Sequence, residues 1–349
     1  MDKKKLITSL VFIIIVGAVI ISLTVSKKSY AVGTTLVDTV KALNKGSSWS
    51  SGDSGVYYTN SHEYRYIGSE VNNYVKFNND MYRIIGVFDS NSHGVSGTEL
   101  VKLIRARSIG GYSWGVYNTD NSAGTYSGFA NDWTGKSKTS PANLNVLLNE
   151  YFYNKTDTSS TYGDCANWTY YYPNNSTKTK DCSAIVACGI VNSLRGYIEN
   201  TTWYLYGSHT EQSKQDWYLC ERGGNSCTSS GSSTGDTSVT SKIGLMYLSD
   251  YLYASGYYAS TDTSTSKQYD FGIKNWLYNG YEWTLTSLGA INGDAVWSVL
   301  NGPVDSVSPN SLQPYNSRPT FYLKSSVYVT GGNGSFDNPY TIACDNCTE

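Results

Sequence analysis

Apolar and polar positions divide this chain into a membrane-length run at its start and a long stretch of short, alternating elements after it. Lys3, Lys4 and Lys5 precede twenty uncharged residues, Leu6 to Val25. At about 1.5 Å per residue a helix of that length spans roughly 30 Å, the thickness of a bilayer's hydrocarbon core. Ser29-Tyr30-Ala31 then offers a small-x-small site for signal peptidase. Residues 1–31 therefore read as a transmembrane anchor if retained, or as a signal peptide if cut after Ala31. Val37 to Asn44 predicts a short helix, and Gly46 to Gly55 a Gly/Ser spacer.

Beyond the spacer the period changes to two. Residues 74–77, 81–88 and 99–105 alternate and are separated by turn chemistry, notably Asn78-Asn79-Asp80, which predicts an antiparallel meander. Ser140 before Pro141, with Leu144, Leu147, Leu148 and Tyr151 at helical spacing, predicts a helix. Ile190, Leu194 and Ile198 predict a second over 189–200, and 202–206 reads as a strand. Four further short strands are expected at 243–248, 282–286, 295–299 and 320–323. The fold class read from this order is α+β: one antiparallel-sheet-rich extracellular domain with about two helices. Its expected limits are 32–60 for the short helix and spacer, 61–343 for the domain and 344–349 for a Cys-containing tail.

Composition changes the picture in two ways. With 26 basic and 28 acidic residues the net charge is -2, so the chain lacks the basic surplus that grips a phosphate backbone, and nucleic acid is not an expected partner. An excess of Tyr (32) and Gly (33) over charge suits an exported, folded surface protein. In an oxidising compartment the cysteines read as local staples: Cys220 with Cys227, Cys165 with Cys182, and Cys344 with Cys347. Spacing alone leaves other pairings open. Cys188, in an apolar run, reads as a buried thiol.

Candidate chemistry is sparse. Gly111-Tyr-Ser113-Trp-Gly115 matches the nucleophile-elbow pattern, but a turn-rich stretch follows it where the elbow needs a helix. His62, His93 and His209 sit singly in polar segments and read as solvated loop positions. A redox pair at Cys344-Asp-Asn-Cys347 needs a following helix N-terminus to lower the thiol pKa, and two residues after it leave no room for one, so a staple is expected. Neither catalytic residues, nor a metal site, nor a cofactor is expected. The remaining lead is aromatic: Tyr112, Trp114, Trp133, Trp168, Tyr170 and Tyr171 lie in Gly/Asn/Ser-rich segments, where an exposed ring can stack on a sugar or anchor a protein. Trp203, Trp276, Trp283 and Trp297 read as core.

Several motifs in one order carry a resemblance: Tyr82 to Phe88, Val101 to Arg105, Ile243 to Tyr251, Tyr281 to Thr286, Ser317 to Leu323 and Gly332 to Thr341. Over residues 64–342 the chain resembles a family of uncharacterised surface proteins of gut Firmicutes. The C-terminal half is also similar to domains with the C-type-lectin-like or formylglycine-generating-enzyme fold, through Trp283 to Thr286, Ala295 to Val299 and Arg318-Pro319. Gln313-Pro314-Tyr315 departs from the acid-bearing sugar and calcium motif of that fold. The resemblance implies a surface location and transfers no active site. The expected function is a cell-surface module of a Gram-positive-like bacterium, held at the membrane by residues 6–25 or secreted, that binds a glycan or a protein. The alternative is a subunit of a surface filament, and an enzyme of unrecognised type is the third reading.

Overall fold

A computed structural model describes residues 33–50, 52–59, 62–112, 114, 133, 142–154, 169–171, 177–179, 188–208, 213–223, 237–256, 275–287, 296–300, 304–307 and 315–349. The expected membrane segment and the Ala31 site lie outside these residues. Among the described residues no helix is long and apolar enough to cross a membrane.

The architecture is α+β. The expected meander is present: β3 (Tyr74–Phe77), β4 (Asp80–Phe88) and β5 (Leu100–Arg105) pair antiparallel in sequence order. β4 is the organising strand. One edge pairs with β5 along its length, while the other pairs first with β3 and then, at Gly86 and Val87, with β2 (Glu63–Ile67). A Cβ at Gly86 would lie 2.3 Å from the Tyr64 carbonyl oxygen, so the change of partner requires glycine there. β1 (Gly55–Thr59) extends the sheet beyond β2, β15 (Thr320–Leu323) pairs with β5, and β17 (Tyr340–Ala343) with β16 (Tyr328–Gly331) completes eight strands beside β3.

A second sheet of five strands runs β13 (Val304–Val307), β12 (Val296–Val299), β11 (Glu282–Ser287), β14 (Tyr315–Asn316) and β6 (Gly111–Tyr112). Two small hairpins complete the strands, β9 (Thr201–Tyr204) with β10 (Ser238–Ser241) and β7 (Thr169–Tyr171) with β8 (Thr177–Thr179).

Expectations for the helices need correction. Six short α-helices are present among the described residues, not two: α1 (Leu36–Lys41), α2 (Ser90–His93), α3 (Asn143–Val146), α4 (Asn192–Arg195), α5 (Lys214–Glu221) and α6 (Leu248–Ala254). α3 continues as a π-helix, Leu147–Tyr153. The helix expected over 189–200 shrinks to α4, because Ile198 leaves the helix to form an isolated bridge with Leu323, and the Asn78 side chain holds Val191 N and the Gly189 carbonyl.

The strand expected at 243–248 is also absent. The Asn149 amide holds both the N–H and the carbonyl of Ile243 at 3.1 Å. Gly244 makes one bridge to Thr320 under the Trp203 ring, and the chain then turns into α6.

Residues before the meander pack onto it: Leu36 and Val40 are buried, Tyr58 N bonds Gly46 O, and β1 starts at Gly55. Val32–Glu349 is one compact unit.

Candidate functional site

Three of the aromatic candidates are not available to a ligand. Tyr112, Trp114 and Trp133 are buried, with Trp114 and Trp133 5.0 Å apart and Trp114 5.8 Å from Trp283. The reading of these rings as exposed is therefore corrected: Trp114 packs between Trp133 and the Trp283 ring of the five-stranded sheet. Tyr112 also lies on β6, and its carbonyl accepts the Trp283 indole N–H at 2.7 Å. Trp168 lies outside the described residues, as do Ser113 and Gly115 of the elbow pattern. Tyr170 and Tyr171 lie on β7. Trp203, Trp276, Trp283 and Trp297 are core residues, as read.

Among the cysteines, Cys344 and Cys347 form the expected disulfide, with Cα atoms 5.6 Å apart. Cys220 is disulfide-bonded, while Cys227, Cys165 and Cys182 lie outside the described residues. Cys188 is half-buried, not buried. His93 is no solvated loop residue. It is fully buried on α2, its Nδ1 accepts from Val95 N at 3.2 Å and its Nε2 faces the Phe88 carbonyl at 3.1 Å. Burial holds its imidazole below the ordinary histidine pKa. His62 is exposed beside Tyr58, and His209 lies outside the described residues.

The aromatic chain does reach the surface at its other end. Trp283 lies 4.7 Å from Tyr315, and Tyr315 stacks on Tyr281 at 5.7 Å with an interplanar angle of 23°. Tyr281 is 50 % exposed, whereas Trp283 behind it is buried. β14 and the turn before β11 position the pair: Asn316 N bonds the Tyr281 carbonyl and the Asn316 amide bonds the Asn279 carbonyl at 3.0 Å. Underneath, Arg318 makes two bonds to Glu282, 2.6 and 2.7 Å long, and a third to the Leu277 carbonyl. The platform is thus held by a buried ion pair that fixes both ends of the turn. Gly280, at φ +77°, supplies the left-handed turn residue, and a Cβ there would lie 3.8 Å from the Asn316 amide nitrogen.

A second constellation lies inside, where β2, β5, α5, α6 and β11 meet. Glu63 and Arg65, two apart on β2, share one face. Arg65 reaches Glu63 Oε2 at 2.7–2.8 Å and Asp250 Oδ1 at 2.9 Å. Asp250 Oδ2 accepts from Lys102 at 2.6 Å and from Tyr247 N at 2.9 Å. Glu221 accepts from Ser249 N, the Ser249 hydroxyl and Thr286 Oγ1, with Arg222 3.5 Å away. Arg222 in turn lies 3.8 Å over the Tyr218 ring.

Three carboxylates and three cations balance in this interior. Burial works against ionisation of Asp250, yet Lys102 and Arg65 overcome it and hold its carboxyl below the usual carboxylate range. Burial outweighs Asp250 at Lys102, whose amine is pushed down to about 8. The Lys102 ammonium is walled by the rings of Tyr247 at 4.5 Å, Trp203 at 5.3 Å, and Phe88 and Tyr322 at 5.4 Å. Sequence reading passed over this cluster, although Lys102 and Asp250 are charges inside apolar runs, Val101-Lys102-Leu103 and Leu248-Ser-Asp250-Tyr251; Glu221-Arg222, followed by two glycines, carries no such signal. No group of three or more His, Cys, Asp or Glu among the described residues is placed to hold a metal ion.

Comparison with protein-family models, with curated proteins and with solved structures finds no match to this chain.

Proposed function

We propose that this chain is an extracellular surface module that binds a glycan on the Tyr281–Tyr315 platform. The observation that carries the reading is a half-exposed tyrosine stacked on a second ring and backed by buried Trp283. A ring held from behind loses little freedom when it binds. Its apolar face matches the C–H face of a pyranose, while the phenol and the neighbouring Asn279 and Asn316 amides offer hydrogen bonds. Glu282 and Arg318 are paired and buried beneath it, so neither offers its charge to the ligand, which suits a neutral sugar.

In this reading the antiparallel β11–β12–β13 sheet and the Arg318-Pro319 strand are parts of a C-type-lectin-like scaffold. Residues 6–25 tether it outside the membrane, or cleavage after Ala31 releases it.

Residues 32–349 applied to a glycan array are expected to retain a sugar class, and Tyr281→Ala to lose that retention. The substitution removes a half-exposed ring stacked on Tyr315, so it should cost about 0.5–1.5 kcal/mol and leave the domain folded. A folded wild-type sample that retains no glycan sinks the proposal.

A further inference from the structure

The interior ion cluster contains one arrangement that goes beyond an ion pair. Lys102 contributes a primary amine to it, whereas Arg65 and Arg222 are guanidiniums that stay protonated. Lys102 Nζ lies 2.6 Å from Asp250 Oδ2, both side chains are fully buried, and 148 residues separate them in sequence. We propose that Lys102 and Asp250 condense into an intramolecular isopeptide bond that ties β5 to α6.

The step needs no reagent from outside. One proton of the Lys102 ammonium passes to Asp250 Oδ2, and the freed Nζ lone pair attacks Cγ. A C–N bond forms, the Cγ–Oδ2 bond breaks, and Oδ2 leaves as water carrying that proton and a second one from Nζ. One N–H remains on the amide, the opposite charges cancel, and nothing is oxidised or reduced.

The surroundings suit each part of this step. Oδ1, which bears the negative charge in the tetrahedral intermediate and becomes the amide oxygen, accepts from Arg65 Nη1 at 2.9 Å. Tyr247 N, bonded to Oδ2 at 2.9 Å, fixes the carboxylate plane. Because Phe88, Trp203, Tyr247 and Tyr322 wall the amine, water is kept from competing for Cγ and from reversing the reaction. The depressed amine pKa raises the share of neutral nucleophile near pH 8. The cost is the proton transfer to a carboxylate that two cations keep ionised, and fixed proximity offsets it.

Intact mass of the full-length chain, disulfides reduced, compared with Lys102→Arg made the same way, reads the bond directly. Wild type is expected to be lighter by one water after allowance for the Lys-to-Arg difference. Trypsin should then release residues 84–105 joined to 243–267, with no cut after Lys102. The arginine variant keeps the charge beside Asp250 and cannot form the bond at that position, so its peptides separate. Wild type at its full sequence mass with separate peptides, in a sample with the near-ultraviolet circular dichroism of packed aromatic rings, overturns the proposal and leaves an ion pair.

Discussion

Glu282 and Arg318 show what a single buried charge is worth here. Both are almost wholly excluded from solvent and bonded to each other twice, so Arg318→Met leaves a carboxylate with its main counter-charge gone. Breaking such a pair costs about 3–5 kcal/mol, whereas replacing both partners by apolar residues of similar volume costs far less. Urea unfolding of Arg318→Met, Glu282→Leu and the double variant should therefore give a double-mutant cost well below the sum of the singles. His93 sets a second limit, on the acid side. Its folded pKa is depressed, so as pH falls through the unfolded value of 6.5 the unfolded chain takes up a proton that the folded chain refuses, and stability is lost with falling pH. The dependence sets in as pH falls below about 6.5, and His93→Gln should remove that part of the slope. At this scale the sequence was hard to read, because exposure of a tryptophan or histidine depends on contacts distant in the chain. Trp114 and His93 sit among turn residues yet are buried, whereas Tyr281 borders a strand and is half-exposed.

Strands were legible and helices in part: the helices expected at 37–44 and through Leu144 to Tyr151 are present as α1 and as α3 with its π-helical continuation, whereas α2, α5 and α6 were not read from the sequence. Alternation placed β3, β4, β5, β11, β12 and β15 within a residue or two, because each has an apolar face turned to the core. Residues 243–248 carry the same apolar signal. What removes them from the sheet is a side chain on another element, since Asn149 occupies the hydrogen-bonding groups of Ile243 that a neighbouring strand would use. Asn149→Ala should accordingly leave a buried N–H and carbonyl without those bonds and cost about 1–3 kcal/mol per unsatisfied group. Asn149→Leu, of similar size, should cost as much, and thermal unfolding of the two variants separates this account from one of lost volume. A leucine variant as stable as wild type would show that the clamp on Ile243 contributes nothing. The aromatic chain from Trp133 to Tyr281 was half legible for the same reason: Trp283 lies in the readable strand β11, whereas the rings that meet it come from distant segments, Trp114 from 169 residues earlier and Tyr315 from 32 later.

Across the described residues, α1 ties residues 34–41 to the C-terminal strands. Leu36 N donates to the Val327 carbonyl at 2.8 Å, Val329 N to the Thr34 carbonyl at 3.0 Å, and Thr35 forms a bridge with Tyr328. Lys41 reaches Glu99 at 2.6 Å in front of β5. α1 thus joins β16 to the central strands, and Leu36 and Val40 lie within their core. If α1 were only the base of a stalk, as its place before a Gly/Ser run suggests, truncation to residue 46 would leave the domain unchanged. The packing requires the opposite. Leu36→Ala should cost about 2–5 kcal/mol, the range for a buried leucine that leaves a cavity. Deleting residues 1–45 should cost more, because the Val327 carbonyl and the Val329 N–H lose their partners with the apolar cover. The loss should concentrate at the far end of the sheet, so hydrogen exchange in the truncated protein should speed first at β16 and β17 while β11 and β12 keep their protection. Equal protection in both forms would return α1 to the status of a linker.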